Sequence, residues 1–600
     1  MRTYLNFPIV SSKYKFMDTS ALLRPGVGRR CYQICQPFVE AALGFSALRT
    51  MYDSCVQEPF DAVEITQRSL DYLDIEVEFD EACCEKLRSI EGPLILAANH
   101  PFGGIEFFAL VALMEKVRPG EWSFLANDLL CSIPGFEEKF IPLNPLARRP
   151  DARSRNRHGL QKAMLHLRNN GLLGLFPAGR VSYAEPRLGG AVVDSNWSPH
   201  LLRLAARTGA TIACLYIPGS NSRRFLRIPF GWARLRALAL CRELTTPPVS
   251  KVSIRFAGLF PPDAVKALAK KPGGSNLLRS TCYLRADIDV ERPDTTGSDE
   301  GAMSPLMELP ATGDIEAELQ KLAAESDASL GRHGKFDLYW FQGKAAPTTL
   351  RALGIIREAT FRAAGQGTGS ACDLAEEDAY YHHLILWDRA QQQLAGAYRL
   401  GIVQEILNTS GPEGLYLSHV FHIQEKLYKL MGQAFELSRS FIVPEYQRDS
   451  QALAGLWKGL GIAAHRYQAD TFFGSVTISN AHHPATRAIL VDYLQQNHAD
   501  DAAMQSLVRA RNPFKPATRY HNLITSAYQG QPIGKLGSLI DSIENGERGI
   551  PPLMRYYCGI GGKYLSFHVE QAFQDALYCL LRVDIAKIPE SYRKRFIPAD

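Results

Sequence analysis

A polar, turn-prone stretch at residues 291–313, rich in Gly, Pro, Ser, Thr and Asp, interrupts the apolar periodicity of this 600-residue chain near its middle. Each flank is long enough for a domain with its own core, so a single core is excluded and two globular bodies are expected. The expected organisation is an N-terminal helical, membrane-proximal segment (1–84), a first α/β domain (85–290), a linker (291–335) and a second, α+β domain (336–600). Composition agrees with ordinary globular structure: 46% of residues are hydrophobic and 22% charged, which excludes collagen-like and wholly disordered classes.

In the first half, residues 93–98 (PLILAA) form a short, continuous apolar run, the pattern of a buried parallel strand. A turn at 101–104 and an apolar helix from about Glu106 follow. The same grammar recurs as a helix at 160–169, a strand at 172–176, a loop at 177–182, a helix at 198–208 and a strand at 211–217. Strand alternating with helix predicts an α/β domain, whose ligands gather at the carboxyl ends of the strands. His100 and Arg180 fall just past two such ends.

The second half predicts an antiparallel hairpin (384–387 and 393–400), then a strand at 434–442, a loop at 443–450, a helix at 451–468, a strand at 471–478 and a helix at 484–496. A loop leading into a helix N-terminus suits a phosphate, so 443–450 is the expected seat of a pantetheine arm.

Net charge is only +5, yet residues 139–251 carry 19 basic side chains against Asp151, Glu185, Asp194 and Glu243. An anionic partner is expected there, and charge alone does not choose among nucleic acid, an anionic bilayer and an acidic carrier protein. Arg148, Arg149, Arg153, Arg155 and Arg157 read as a basic loop, and residues 230–240 (FGWARLRALAL), carrying Trp232, Arg234 and Arg236, suit a short interfacial helix; the alternative for both is a solvated basic face beside an ordinary core helix. The 12 cysteines include no CxxC pair, which removes support for zinc ribbons and suits reduced thiols. No signal-peptide pattern and no apolar run of membrane-spanning length appears, so an unexported chain without a transmembrane helix is expected. Adjacent histidines at 382/383 and 482/483 point to opposite faces if on strands, and no metal is expected.

Residues 99–106 read NHPFGGIE. A histidine after a buried strand and a carboxylate opening the next helix can form a base and its orienting partner: Glu106 fixes the imidazole tautomer while His100 takes a proton. No GxSxG is present, so the proton is expected to come from a substrate hydroxyl. Residues 176–182 (FPAGRVS) lie at another strand end. Together, NHPFGG and FPAGR resemble the two principal motifs of the lysophospholipid acyltransferase family, and residues 133–145 (IPGFEEKFIPLNP) and 219–244 resemble its acceptor block and its haemolysin-like branch. The resemblance covers about residues 85–262. It implies His100 and Glu106 as catalytic pair, with Asn99, Gly103, Gly104, Asn144, Pro177, Gly179 and Arg180 near the substrate. Two departures stand out: the acid is one residue farther than in His-x4-Asp, and Ala178 and Arg180 alter the FPEG-Thr-Arg block.

In the second half, residues 436–440 (ELSRS) place Glu436, Ser438 and Ser440 on one side of a strand and Arg439 on the other. Charges inside a strand are unfavourable unless paired or used. Residues 357–400, ELSRSF and LWKGL (456–460) resemble the ornithine-lipid N-acyltransferases, GNAT-like relatives of the acyl-homoserine lactone synthases, over about residues 336–586. This resemblance implies Glu436, Ser438 and Arg439 at the transfer site, Glu436 as base, and Arg357, Asp373 and Asp378 near the amino-acid substrate. Arg362-x-x-Gly365-x-Gly367 imitates a pyrophosphate signature but precedes the strands it should follow.

The two halves in this order resemble bifunctional ornithine lipid synthases. The resemblance implies N-acylation of ornithine by a 3-hydroxyacyl chain from an acyl carrier protein, then O-acylation of the 3-hydroxyl, with no bound cofactor. The implied partners are the carrier protein, an anionic membrane surface and the amino-acid and lyso-aminolipid substrates, at the cytoplasmic face of the inner membrane. Nucleic acid has no supporting motif. The alternatives are another amino acid such as glycine, or a peripheral membrane-binding, haemolysin-like protein whose acyl-transfer sites have decayed.

Overall fold

The computed structural model describes residues 44–58, 60–79, 81–126, 131, 133–143, 150–271, 273–288, 303–544 and 546–596. The chain divides into two compact units, residues 1–289 with 519–527, and residues 290–518 with 528–600.

Unit 1 opens with α1 (Phe45–Cys55) and α2 (Ala62–Tyr72), so the N-terminal segment expected to stand apart is, where described, part of this unit. Its sheet contains β1 (Glu76–Phe79), β2 (Leu94–Ala98), β3 (Trp122–Ala126), β4 (Phe140–Pro142), β5 (Leu172–Leu175), β8 (Thr211–Tyr216) and β9 (Lys251–Phe260), in the order β1-β9-β8-β2-β5-β3-β4. A separate hairpin pairs β6 (Tyr183–Glu185) with β7 (Ala191–Val193). All pairings in the large sheet are parallel except β8 with β9. Every residue of β2, β5 and β8 is buried, because the sheet is covered on both faces and its central strands need apolar side chains on each. Leu94, Leu96 and Ala98 enter one core with α2 and α3 (Ile105–Val117), whereas Ile95 and Ala97 enter the other with α4 (Pro150–Arg168), α5 (Pro199–Thr208) and α7 (Gly274–Ile288). Between α5 and α7 lies α6 (Ala233–Thr245). Arg153, Arg155 and Arg157 lie on α4 rather than in a loop; Arg148 and Arg149 fall outside the described residues.

Unit 2 holds an eight-stranded sheet: β10 (Ser329–His333), β11 (Phe336–Gln342), β12 (His382–Asp388), β13 (Gln393–Ile402), β15 (Ala434–Ile442), β16 (Thr471–Ile478), β18 (Lys563–Glu570) and β19 (Ala576–Asp584), in the order β10-β11-β12-β13-β15-β16-β19-β18. A two-stranded sheet pairs β14 (Phe421–Ile423) with β17 (Val508–Ala510). Helices α8 (Pro347–Ala363), α9 (Ser450–Arg466) and α10 (Pro484–Asn497) accompany it. The described part of the expected linker contains a helix, Thr312–Glu325, and β10, both in unit 2.

The only parallel neighbours in the large sheet are β15 and β16, paired from Ala434↔Thr471 to Leu437↔Gly474. Beyond that point they part. Arg439 has φ of 49°, and the register of β15 against β13 slips between Ala397↔Phe441 and Arg399↔Ser438. This β-bulge bends β15 away from β16. At the crotch of the fork only glycine fits: a Cβ on Gly474 would stand 2.6 Å from the Leu437 carbonyl oxygen. Among the described residues no helix is long and apolar enough to cross a membrane.

Candidate active sites

In unit 1, β2 and β5 are neighbours, so the segments after them meet. The His100 ring stacks on Phe176, 4.1 Å between centroids and 14° from parallel. Its Nδ1 lies 2.8 Å from Oε1 of Glu106, which is fully buried on the first turn of α3. Glu106 reaches back as a capping acid: Oε1 accepts N–H bonds from Phe102 (2.8 Å) and Gly103 (2.7 Å), and Oε2 accepts one from Gly104 (2.9 Å). Burial alone would raise its pKa, but the charge and contact of His100 together with these amides hold it below the usual carboxylate value. The carboxylate therefore stays ionised at neutral pH and orients the ring. Gly103 has φ of 90° and packs against α6, where a Cβ would fall 2.7 Å from Leu240 Cδ2.

Asp194 joins the two loops. Its Oδ1 accepts the His100 N–H (3.1 Å) and the Ser182 hydroxyl (2.6 Å), its Oδ2 the Trp197 indole N–H (2.9 Å), while Ser182 N–H donates to the His100 carbonyl (2.8 Å). Apart from being one of four acids in a basic stretch, Asp194 carries no sequence signal for this role.

His100 opens onto an apolar cavity of about 1340 Å³, reached by Leu48 and Met51 of α1 and by Phe107 and Phe136, and lined also by Gly103, Gly104, Pro177, Gly179 and Arg180. Arg180 is exposed over the Phe230 ring (5.6 Å) and forms no ion pair among the described residues. Two expectations are corrected. Asn99 is not available to substrate: it is 2% exposed, and its amide is engaged in both directions with the Ile217 backbone, clamping the ends of β2 and β8. Arg236 is not on an interfacial surface; it is buried and turned inward, whereas Trp232 and Leu235 are exposed. Asn144 lies outside the described residues.

In unit 2 the structure gathers Arg357, Asp373, Asp378, Ser438 and Arg439 around a residue the sequence analysis did not single out, Arg399. Arg357 Nε meets Asp373 Oδ2 at 2.8 Å and its Nη1 meets Asp378 Oδ1 at 3.0 Å. Arg399 Nη1 bonds Asp378 Oδ2 (3.1 Å) and its Nε bonds Ser438 Oγ (3.0 Å). Arg439 Nη2 stands 3.4 Å from Asp373 Oδ1. The bulge corrects the expected alternation, because it brings Arg439 to the same side as Ser438. Three guanidiniums face two carboxylates, and Arg399 Nη2 and Arg439 Nε are buried without a hydrogen-bond partner among the described residues. Burial works against the charge of Asp378, yet Arg357 and Arg399 hold its pKa far below the ordinary carboxylate value.

Glu436 is fully buried beside this cluster. Oε2 accepts from the Tyr381 hydroxyl (2.7 Å) and Oε1 from Leu417 N–H (2.7 Å). Burial raises its pKa to about 7, against the pull of those two bonds and of Arg399. It does not line the adjoining cavity of about 160 Å³, which fills the fork between β15 and β16 and is bordered by Ser438, Arg439, Tyr416 and Ser475.

The loop at 443–450 does not suit a phosphate. Asp449 caps α9 by accepting Gln451 N–H (2.9 Å), and Lys335 is shared between Asp449 (3.1 Å) and Asp388 (3.6 Å). A carboxylate already occupies the anion position there. The edges of the fork instead offer unpaired strand backbone. Arg362, in the pyrophosphate-like pattern, is engaged by buried Glu358 at 2.7 Å.

Residues 70–241 match a family model described as acyltransferase, and residues 356–458 one described as acetyltransferase (GNAT) domain. The chain is 30% identical over 267 residues to the glycine N(alpha)-acyltransferase of Bacteroides thetaiotaomicron, an alignment covering 40% of this chain and 78% of the relative. It is 30% identical over 200 residues to the enzyme of the same name from Phocaeicola vulgatus, covering 31% of this chain and 61% of the relative. Against the lyso-glycine lipid O-acyltransferase of Phocaeicola vulgatus it is 28% identical over 163 residues, covering 25% of this chain and 55% of the relative.

Proposed function

The chain belongs to the family of the glycine N(alpha)-acyltransferases and is an acyl-transferring enzyme; on that premise we propose that it makes a diacylated aminolipid at two sites. Unit 2 attaches a 3-hydroxyacyl chain, delivered as a thioester by an acyl carrier protein, to the α-amine of ornithine. Unit 1 then acylates the 3-hydroxyl of that product. The names of the relatives favour glycine as a second reading of the head group.

The observation that carries the proposal is the imidazole of His100, held by a buried carboxylate and opening onto a large apolar cavity. At roughly 30 Å³ per methylene-sized group, a chain of about 16 carbons fills roughly 500 Å³, so acceptor and donor chains fit together. His100 takes the hydroxyl proton as the oxygen attacks the thioester carbonyl. The tetrahedral intermediate collapses, expelling a thiolate that recovers the proton from the imidazolium.

In unit 2, the cluster of three arginines and two aspartates has a net charge of +1, which an amino-acid carboxylate complements. The fork between β15 and β16 suits the amide-rich pantetheine arm, whose peptide-like groups can pair with exposed strand edges. Glu436, at about 7, is the proposed final acceptor of the amine proton, which has to be relayed to it because its carboxylate does not line the cavity. N-acylation should therefore rise with pH through about 7 and level off above it. At pH 6 the rate should be about tenfold below the plateau, and Glu436→Gln should remove both the activity and this limb. A flat wild-type profile would take Glu436 out of the proton transfer. The basic excess at residues 139–251 supports a carrier protein and an anionic membrane surface as partners.

Mass spectrometry of lipid extracts from cells expressing the chain tests the whole. A new aminolipid with two acyl chains is expected, and its head-group mass distinguishes ornithine from glycine. Extracts without any new aminolipid would sink the proposal.

A further inference from the structure

One buried cation has no role in the chemistry described so far. Arg236 on α6 is 7% exposed. Its guanidinium lies 4.4 Å over the Phe225 ring, Nη1 donates to the Ile228 carbonyl (3.1 Å) and Nη2 to the Ser182 carbonyl (3.0 Å). These bonds use two of its five N–H donors. Neither acceptor is charged, and among the described residues Arg236 forms no ion pair. Burial pulls its pKa below the ordinary arginine value, the mark of a charge without a compensating partner. A neutral amide could tie two carbonyls together without that desolvation, so the charge itself calls for an explanation.

Its position supplies one. Arg236 lines the same cavity as His100. One turn along α6, Leu240 packs against Gly103, three residues from the imidazole in sequence. Ser182, whose carbonyl Arg236 holds, donates its N–H to the His100 carbonyl and its hydroxyl to Asp194, the acceptor of the His100 N–H. Arg236 is thus two hydrogen bonds from the backbone of His100.

We infer that Arg236 forms an anion site in the cavity onto which His100 opens and holds there the oxyanion group of a substrate: the carboxylate of the lyso-aminolipid acceptor or the phosphate of the pantetheine donor. The inference rests on the O-acyl transfer proposed for unit 1. An oxyanion anchored there fixes the rest of its molecule in the apolar cavity and presents the reacting group to the imidazole, so that binding of a remote group serves the chemical step. In an apolar cavity such a charge-assisted pair is stronger than in water.

The test uses the purified full-length chain with two pairs of substrates. The acceptors are an N-(3-hydroxyacyl) amino acid and its uncharged methyl amide, and the donors are an acyl-phosphopantetheine thioester and the acyl-pantetheine thioester that lacks the phosphate. In the wild-type protein, removing the anion that occupies the pocket should raise the KM of that substrate by about 10- to 100-fold. The pair that shows the effect names the source of the anion. Arg236→Gln should erase the discrimination within that pair, and Arg236→Lys should restore part of it. Equal KM values within both wild-type pairs would overturn the inference, and this arm needs no variant to fold. Discrimination that survives Arg236→Gln would also overturn it. Failure of the wild-type chain to acylate either acceptor would instead bring down the O-acyl transfer reading, and the anion pocket with it.

Discussion

Replacing His100 with alanine is expected to lower O-acyl transfer by about a thousandfold, within the range that a positioned general base contributes, while N-acylation continues. Lipid extracts should then accumulate the monoacylated aminolipid at the expense of the diacylated one. The fold should tolerate the change, because Glu106 keeps its three backbone donors from Phe102, Gly103 and Gly104 when the imidazole is removed. Glu106→Gln is a harsher substitution at the same turn: its amide N–H₂ would face backbone N–H groups that now meet carboxylate oxygens, so the turn that positions His100 would itself be disturbed. The two variants should therefore separate, with His100→Ala changing the product ratio at near wild-type thermal stability and Glu106→Gln lowering both. Undiminished diacylated product from His100→Ala would exclude the imidazole as base.

The architecture around His100 is legible because the signals are local. A continuous apolar run ending in Asn-His, followed by glycines and an acid, encodes a strand, a tight turn and a capped helix within a dozen residues. The bounds of β15 and β16 are readable for the same reason. What escaped is what depends on partners distant in sequence. Asn99 looks like part of a substrate motif, yet its amide is satisfied by Ile217, brought alongside by the β2–β8 pairing. Strict strand alternation sends Arg439 to the wrong side, since nothing local announces a bulge with an arginine at positive φ. Arg236 sits in a stretch that mixes Trp, Leu and Arg as interfacial helices do, whereas in the fold the Ile228 and Ser182 carbonyls and the Phe225 ring hold it inward. Arg399 was within reach: a lone charge in the apolar run of β13 requires a buried counter-charge. Asp449 before a helix is likewise a readable N-cap, and it argues against a phosphate there.

Asp378→Asn should be the most destabilising single change in unit 2. The carboxylate is 1% exposed and is shared by Arg357 and Arg399, each 1% exposed, and its Oδ2 also accepts Ala375 N–H at 2.9 Å. Removing its charge leaves three guanidiniums facing Asp373 alone, and breaking a buried pair in this way costs about 3 to 5 kcal/mol. An amide can replace the acceptor for one donor but presents its own N–H₂ to the other. Hydrogen exchange reads the effect locally: amides of β12, β13 and α8 should lose about two to four decades of protection, while those of β2 and β5 in unit 1 serve as the internal reference. The pH dependence follows from the same pairing. Because the folded-state pKa is depressed, the stability contributed by Asp378 is fully present above the unfolded value of about 4 and drains away as pH falls below it. Wild-type and Asp378→Asn proteins should therefore converge in protection as the solution is acidified below pH 4. A variant with wild-type protection at neutral pH would mean that the three arginines tolerate each other without this carboxylate, and the net charge assigned to the cluster would be wrong.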